Sequence, residues 1–128
     1  MRFDEKAREN LEAAERLLPG EDGLAEALSN ASVSRAYYAA YLAVADRAQR
    51  VNRAFTDRNT TYYRHDTLPD DAYRWRIIGD DHRDDLRWLR DLRIKADYYE
   101  DQVTLEEASE ALDVAAHLVG VALEEGQR

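Results

Sequence analysis

Ser29-Asn30-Ala31-Ser32-Val33-Ser34-Arg35-Ala36-Tyr37-Tyr38-Ala39-Ala40-Tyr41-Leu42-Ala43-Val44-Ala45-Asp46-Arg47-Ala48 is the stretch on which the fold turns. Val33, Tyr37, Ala40, Tyr41, Val44, Ala48 and Val51 recur at steps of three and four, the period of one face of an α-helix. The spacing predicts a long helix that starts near Leu24, or at the Ser/Asn cluster around Ser29, and runs to about Phe55. Tyr38 and Leu42 fall on a different side of it, which predicts a second partner surface.

Outward from this helix the chain keeps the same period. Phe3 to Leu18 reads as a first helix, with Leu11, Leu17 and Leu18 among charges. Pro19-Gly20 ends it, because proline cannot continue the hydrogen-bond ladder and glycine tolerates a left-handed cap. Residues 56–68 read as polar and turn-like. A short helix is predicted from Pro69 to Ile78, broken at Gly79. Another runs from Asp80 to Asp101, with Leu89, Leu92, Ala96, Tyr99 and Val103 on one face and Asp80, Asp81 and Asp84 in the first turn, where the helix dipole favours acids. Thr104-Leu105-Glu106-Glu107 is a capping-box sequence. It opens a last helix, Leu105 to Glu125, with Leu105, Ala108, Leu112, Ala115 and Val119 as its stripe. Almost nothing reads as strand. The expectation is an all-α domain over residues 1–128, an antiparallel up-and-down bundle of four long helices and one short one.

The composition bounds the function. With 128 residues the chain has the length of one domain and no cysteine, which excludes a disulfide framework and thiolate metal sites. No apolar run approaches the roughly 20 residues of a membrane span, and Met1 to Lys6 lacks the apolar core of a signal peptide, so a cytoplasmic protein is expected. The net charge of −9 opposes a polyanion at long range. The charge is uneven, however: residues 96–128 hold nine acids and one Arg, whereas residues 47–64 hold five Arg and one Asp. Arg47, Arg50 and Arg53, then Arg58, Tyr62, Tyr63, Arg64 and His65, mix guanidiniums with aromatic rings as single-strand RNA sites do. The competing reading is that these arginines neutralise the acidic last helix.

Two segments carry a family resemblance. Ser34-Arg35-Ala36-Tyr37-Tyr38-Ala39-Ala40-Tyr41 resembles the Ser-Arg-x-Tyr-Tyr-Ala helix of HEPN proteins (higher eukaryotes and prokaryotes nucleotide-binding). Leu89-Arg90-Asp91-Leu92-Arg93-Ile94-Lys95-Ala96-Asp97-Tyr98 is similar to the Arg-x-x-Ala-Asp-Tyr segment of one branch of that family. With the final helix, the resemblance spans most of residues 24–125. It implies a helical bundle, commonly a homodimer, in a toxin–antitoxin or defence system, often beside a nucleotidyltransferase partner. It also implies a nucleotide or RNA as ligand.

The nuclease branch carries Arg, then four to six intervening residues, then His, with a polar residue directly after the Arg. There the His moves the proton of the 2′-hydroxyl or the leaving oxygen, and the Arg stabilises charge on the phosphate. Here Arg93 is followed by Ile94, and the position four residues further on is Tyr98, a phenol with an ordinary pKa near ~10 and a poor base at neutral pH. Two other pairs have the spacing, Arg58 with His65 and Arg76 with His82. Among 16 Arg and three His, roughly one such match arises by chance. His82 and Arg93 cannot form one intramolecular site, since 11 helical residues separate them by about 16 Å.

The expectation is therefore a non-catalytic HEPN-type protein that dimerises and binds a partner protein, nucleotide or RNA. Its binding candidates are Arg35, Arg53, Arg58, Arg64, His65 and Arg93. The alternatives are a metal-independent ribonuclease toxin, for which Arg76 and His82 are the catalytic candidates, and a purely structural helical adaptor. Tyr37 and Tyr41 are expected in the core with their hydroxyls at the surface. Arg93 and Asp97 are expected to form ion pairs, with each other within the helix or with a neighbouring helix, and His117 to stand on the acidic outer face near Asp113. His82 with Asp81 and Asp85 reads as a solvated helix start. No Gly-rich phosphate loop, Ser-His-Asp arrangement or zinc spacing is present, so no cofactor or metal is expected.

Overall fold

A computed structural model describes residues 3–17, 25–51, 53, 55–57, 60–62, 65–98 and 103–125. The helices are α1 (Phe3–Leu17), α2 (Ala25–Arg50), α3 (Leu68–Arg74), α4 (Asp80–Tyr98) and α5 (Leu105–Glu125). The class is all-α and the helices form a bundle, with one two-stranded hairpin, β1 (Phe55–Asp57) and β2 (Thr60–Tyr62), between α2 and α3.

The long alanine-rich helix sits at the centre. Val33, Ala36, Tyr37, Ala39, Ala40, Ala43, Val44, Ala45 and Ala48 are all buried, so the apolar surface runs nearly all the way round. A helix of that kind must be covered on several sides. Here α1, α4 and α5 cover it, and α3 touches it. Tyr38 and Leu42, which suggested a second partner surface, pack against this core within the chain, as does Trp88 of α4. Small side chains let the backbones approach closely enough for a hydroxyl to bridge two helices. Ser32 Oγ, fully buried, donates to the Ala14 carbonyl of α1 at 2.7 Å.

Named contacts fix the other pairings. Ser34 and Tyr38 of α2 bond to Asp97 and Arg93 of α4. Lys95 of α4 meets Glu107 of α5 at 3.3 Å, and the His82 and His117 rings of the same two helices lie 5.5 Å apart. Arg87 of α4 pairs with Asp70 of α3 and holds its carboxyl below the usual carboxylate range. The capping box is formed: Glu107 N–H donates to Thr104 Oγ1 at 3.0 Å and Thr104 N–H to Glu107 Oε1 at 3.1 Å. The backbone bond from Thr104, with Lys95 alongside, keeps the Glu107 carboxyl low.

Several boundaries differ from expectation. The central helix stops at Arg50, and Phe55 begins a strand whose register is Phe55↔Tyr62, Thr56↔Thr61 and Asp57↔Thr60. The β-branched threonines favour this pairing, though the segment is too short and polar to alternate legibly. The short helix ends at Arg74, five residues before Gly79. Its end is a Schellman motif: Ile77 N–H donates to the Ala72 carbonyl at 2.8 Å and Arg76 N–H to the Tyr73 carbonyl at 3.0 Å. Arg76, with φ 62°, takes the left-handed position that glycine usually fills. Gly79 instead starts the next helix, its carbonyl accepting from Arg83 N–H at 3.0 Å. On α5 the buried face is Ala108, Ala111, Ala115, Leu118, Val119, Ala122 and Leu123, rotated from the expected stripe, so that Leu105 is 45% exposed and Leu112 only half-buried. On α1 the buried residues are Ala7 and Ala14, with Leu11 half-buried; Leu18 lies outside the described residues. So do Tyr99 and Asp101, the expected end of the fourth helix.

Candidate functional site

His65 stands in the turn that leads into α3, and the fold brings it onto three tyrosines of the central helix. Tyr37, Tyr38 and Tyr41 lie at helical spacing, so their rings point toward one sector. The imidazole stacks on Tyr41 at 3.9 Å between centroids and 11° between planes, and meets Tyr38 edge-on at 5.7 Å. Tyr37 Oη and His65 Nδ1 are 2.8 Å apart. The Tyr37 ring is 1% exposed, so its hydroxyl is spent on this bond and does not reach the surface as expected.

Arg93 joins the cluster from α4. Its guanidinium donates to Tyr38 Oη at 3.0 Å, lies 5.3 Å from the Tyr38 centroid and 5.8 Å from that of Tyr37, and pairs with Asp97 at 2.9 Å. Asp97 in turn accepts from Ser34 Oγ at 2.6 Å. The Ser34–Tyr41 and Leu89–Asp97 segments thus meet face to face, and of the two ion pairings expected for Arg93 and Asp97 the intrahelical one is formed.

Electrostatics set the protonation states. Burial, and then the neighbouring cations Arg93 and Arg90, push the His65 imidazole below its ordinary pKa against the smaller opposing pull of Asp66. Burial first, with Tyr41 close by, raises the Tyr37 phenol well above its ordinary value. A neutral imidazole beside a protonated phenol is served by Tyr37 O–H donating to Nδ1, which leaves the proton on Nε2. That N–H, with the Arg90 and Arg93 guanidiniums, offers donors suited to a phosphate oxygen.

A second constellation lies at the other end of α3. Arg47 from the last turn of α2, Tyr73, Arg74, Arg76 and Ile77 around the end of α3, and His82 of α4 line a cleft of about 640 Å³. Arg76 and His82 therefore do share one cavity. His65 and Arg93, from the binding candidates, share the tyrosine cluster, while Arg93 and His82 stay at separate places on α4.

The remaining candidates stand apart. Arg35 is exposed and donates to Asn10 Oδ1 of α1 at 3.3 Å. Arg53 is exposed just beyond α2, its N–H bonded to the Ala48 carbonyl at 2.9 Å. Arg58 and Arg64 lie outside the described residues. Arg50 pairs with Asp46 at 2.8 Å and with Asp4 of α1 at 3.9 Å, so this member of the basic stretch neutralises the first helix, not the last. His117 is exposed, as expected. Sequence reading singled out neither Arg74 nor Tyr73 for the cleft, nor Arg90 for the tyrosine cluster. The only local signal for the first was the Arg74-Trp75-Arg76 doublet.

Among the described residues no helix is long and apolar enough to cross a membrane. Comparison of the chain with models of protein families gives no match, and a search of curated proteins gives none either.

Proposed function

We propose that the protein is a non-catalytic, HEPN-type RNA-binding module, built as an antiparallel up-and-down bundle of four long helices and one short one. The observation that carries this reading is the convergence of His65, Arg93 and the tyrosines 37, 38 and 41, from three separated segments, into one half-buried cationic and aromatic cluster. Unstacked bases of single-stranded RNA bind aromatic and guanidinium planes, and phosphates bind Arg and imidazole N–H donors. The Arg-rich stretch from Arg47 to Arg64 precedes His65 directly and supplies long-range attraction on an otherwise acidic chain.

The same groups disfavour cleavage. The Nδ1 lone pair of His65 is engaged by Tyr37 and Nε2 carries the proton, so the imidazole offers no free base to a 2′-hydroxyl. Resemblance to HEPN proteins further supports a homodimer working beside a nucleotidyltransferase-type partner in a toxin–antitoxin or defence setting. The apolar side chains Tyr38, Leu42 and Trp88 are used inside the chain, so the dimer rests on the resemblance alone.

The test is a fluorescence-anisotropy titration of a labelled single-stranded RNA decamer at low salt, run beside a gel of the same RNA. Saturable binding with intact RNA is expected. Replacing His65 by Gln and Arg90 by Ala together should weaken it at least tenfold while the helical circular dichroism is retained. A second reading, a ribonuclease toxin, is favoured by Arg76 and His82 lining one cleft. Metal-independent cleavage abolished by His82→Ala would establish that reading in place of the first.

A further inference from the structure

We infer that the cleft between the end of α2, the α3–α4 turn and α5 is a binding site for the phosphate group of a small phosphorylated molecule. This site is separate from the tyrosine cluster and does not rest on the RNA reading. Charge points to it first. On a chain of net charge −9, the cleft is lined by Arg47, Arg74, Arg76 and His82, and no carboxylate lines it among the described residues. Three guanidiniums and an imidazole along one cleft favour an anion there, even with Arg74 already paired to the buried Asp71.

Second is the way Arg76 is held. The two Schellman hydrogen bonds fix its backbone in a left-handed conformation that disfavours every residue with a Cβ. Its side chain is exposed at the cleft and has no ion-pair partner among the described residues. Its neighbour Arg74 is oriented by an ion pair with the buried Asp71. A glycine would serve the turn better, so the guanidinium is the feature that a role for this position must explain.

Size and surroundings choose the ligand. A volume of about 640 Å³ lies in the range of small-molecule sites, and Ile77, Ile78 and Val121 supply an apolar wall for the body of the molecule. The first turn of α4 carries the exposed acids Asp80 and Asp81, and the outer face of α5 carries Glu110 and Asp113. An extended polyanion leaving the cleft along either helix would be repelled, whereas a compact phosphate stays among the arginines.

Isothermal titration with inorganic pyrophosphate at low salt tests the proposal, with Arg76→Gly as the variant. That substitution removes the guanidinium and relieves the backbone, so loss of binding cannot be ascribed to loss of the fold. Expected are one saturable site in the unaltered protein, at least tenfold weaker affinity in Arg76→Gly, and a higher melting temperature for the variant. The RNA decamer should neither displace pyrophosphate nor lose affinity on Arg76→Gly. No saturable binding, undiminished affinity in Arg76→Gly, or competition between pyrophosphate and RNA would each overturn the assignment.

Discussion

At Arg76 the main chain has φ 62°, a region that costs a residue with a Cβ roughly 1 kcal/mol relative to glycine. Arg76→Gly should therefore stabilise the chain by about 1 kcal/mol, which for a domain of this size raises the thermal midpoint by roughly 3–5 °C. A melt followed by circular dichroism measures it directly, and a lower midpoint would mean that the arginine side chain holds the turn. His65 offers a test of the opposite kind, through pH. Its imidazole titrates lower in the folded chain than in the unfolded one, so between those values the unfolded state binds more protons. The contribution is fully present above the ordinary histidine pKa of about 6.5 and is lost as pH falls through the folded value. The midpoint should accordingly drop between pH 7.5 and pH 5.5, and the drop should shrink in His65→Gln. Asp46, whose carboxyl burial raises, works in the other direction, but from an ordinary range two units lower or more. An unchanged slope in His65→Gln would place the pH dependence in other groups.

At the scale of the elements, the signals that were legible are the ones made within a few residues. Thr104 and Glu107 are three apart, and the capping box they announce is formed on both sides. Thr104→Ala should cost about 1 kcal/mol, read as a lower urea midpoint with unchanged slope. If the midpoint does not move, α5 is fixed by its packing and not by its cap. The stripe of α2 was legible for the same local reason, since Val33, Tyr37, Ala40, Val44 and Ala48 repeat a single period and are buried; Tyr41 of the same stripe is half-buried, and Val51, past the end of the helix, is 52% exposed. The end of α3 was not, because the residue in the left-handed position is an Arg where sequence rules look for Gly, and Gly79 drew the boundary toward itself. The α5 face was rotated for want of contrast: alanines and leucines stand on several sides, and only the position of α2 decides that Leu118 and Leu123 go inward while Leu105 faces out. The hairpin was lost in three-residue strands rich in polar side chains. Of the tyrosine cluster, Tyr37, Tyr38, Tyr41 and Arg93 could be named from their motifs. Their meeting with His65 could not, because the contact between Tyr37 and His65 closes 28 residues of chain.

For the whole molecule the governing quantity is its charge, −9 in total but positive around Arg47 to Arg64. Single-stranded RNA is thus expected to bind weakly and to let go as salt rises, since association releases counterions from the phosphates. Replacing Arg53 and Arg58 together by Ala should flatten the plot of log affinity against log salt, leaving the melting temperature within about 1 °C; a loss of stability with an unchanged slope would assign these arginines to intramolecular charge pairing. The three histidines report on the molecule from two places: His65 in the tyrosine cluster, and His82 with its neighbour His117 of α5 at the arginine-lined cleft, their rings 5.5 Å apart. A nitrogen–proton correlation spectrum of the imidazole rings, recorded while a single-stranded RNA decamer is added, follows all three at once. The ring nitrogens of His65 should shift progressively and saturate, while those of His82 and His117 stay in place. Saturation at His82 with His65 unmoved, or three unmoved rings at concentrations where RNA is bound, would contradict an RNA site at the His65–Arg93 cluster.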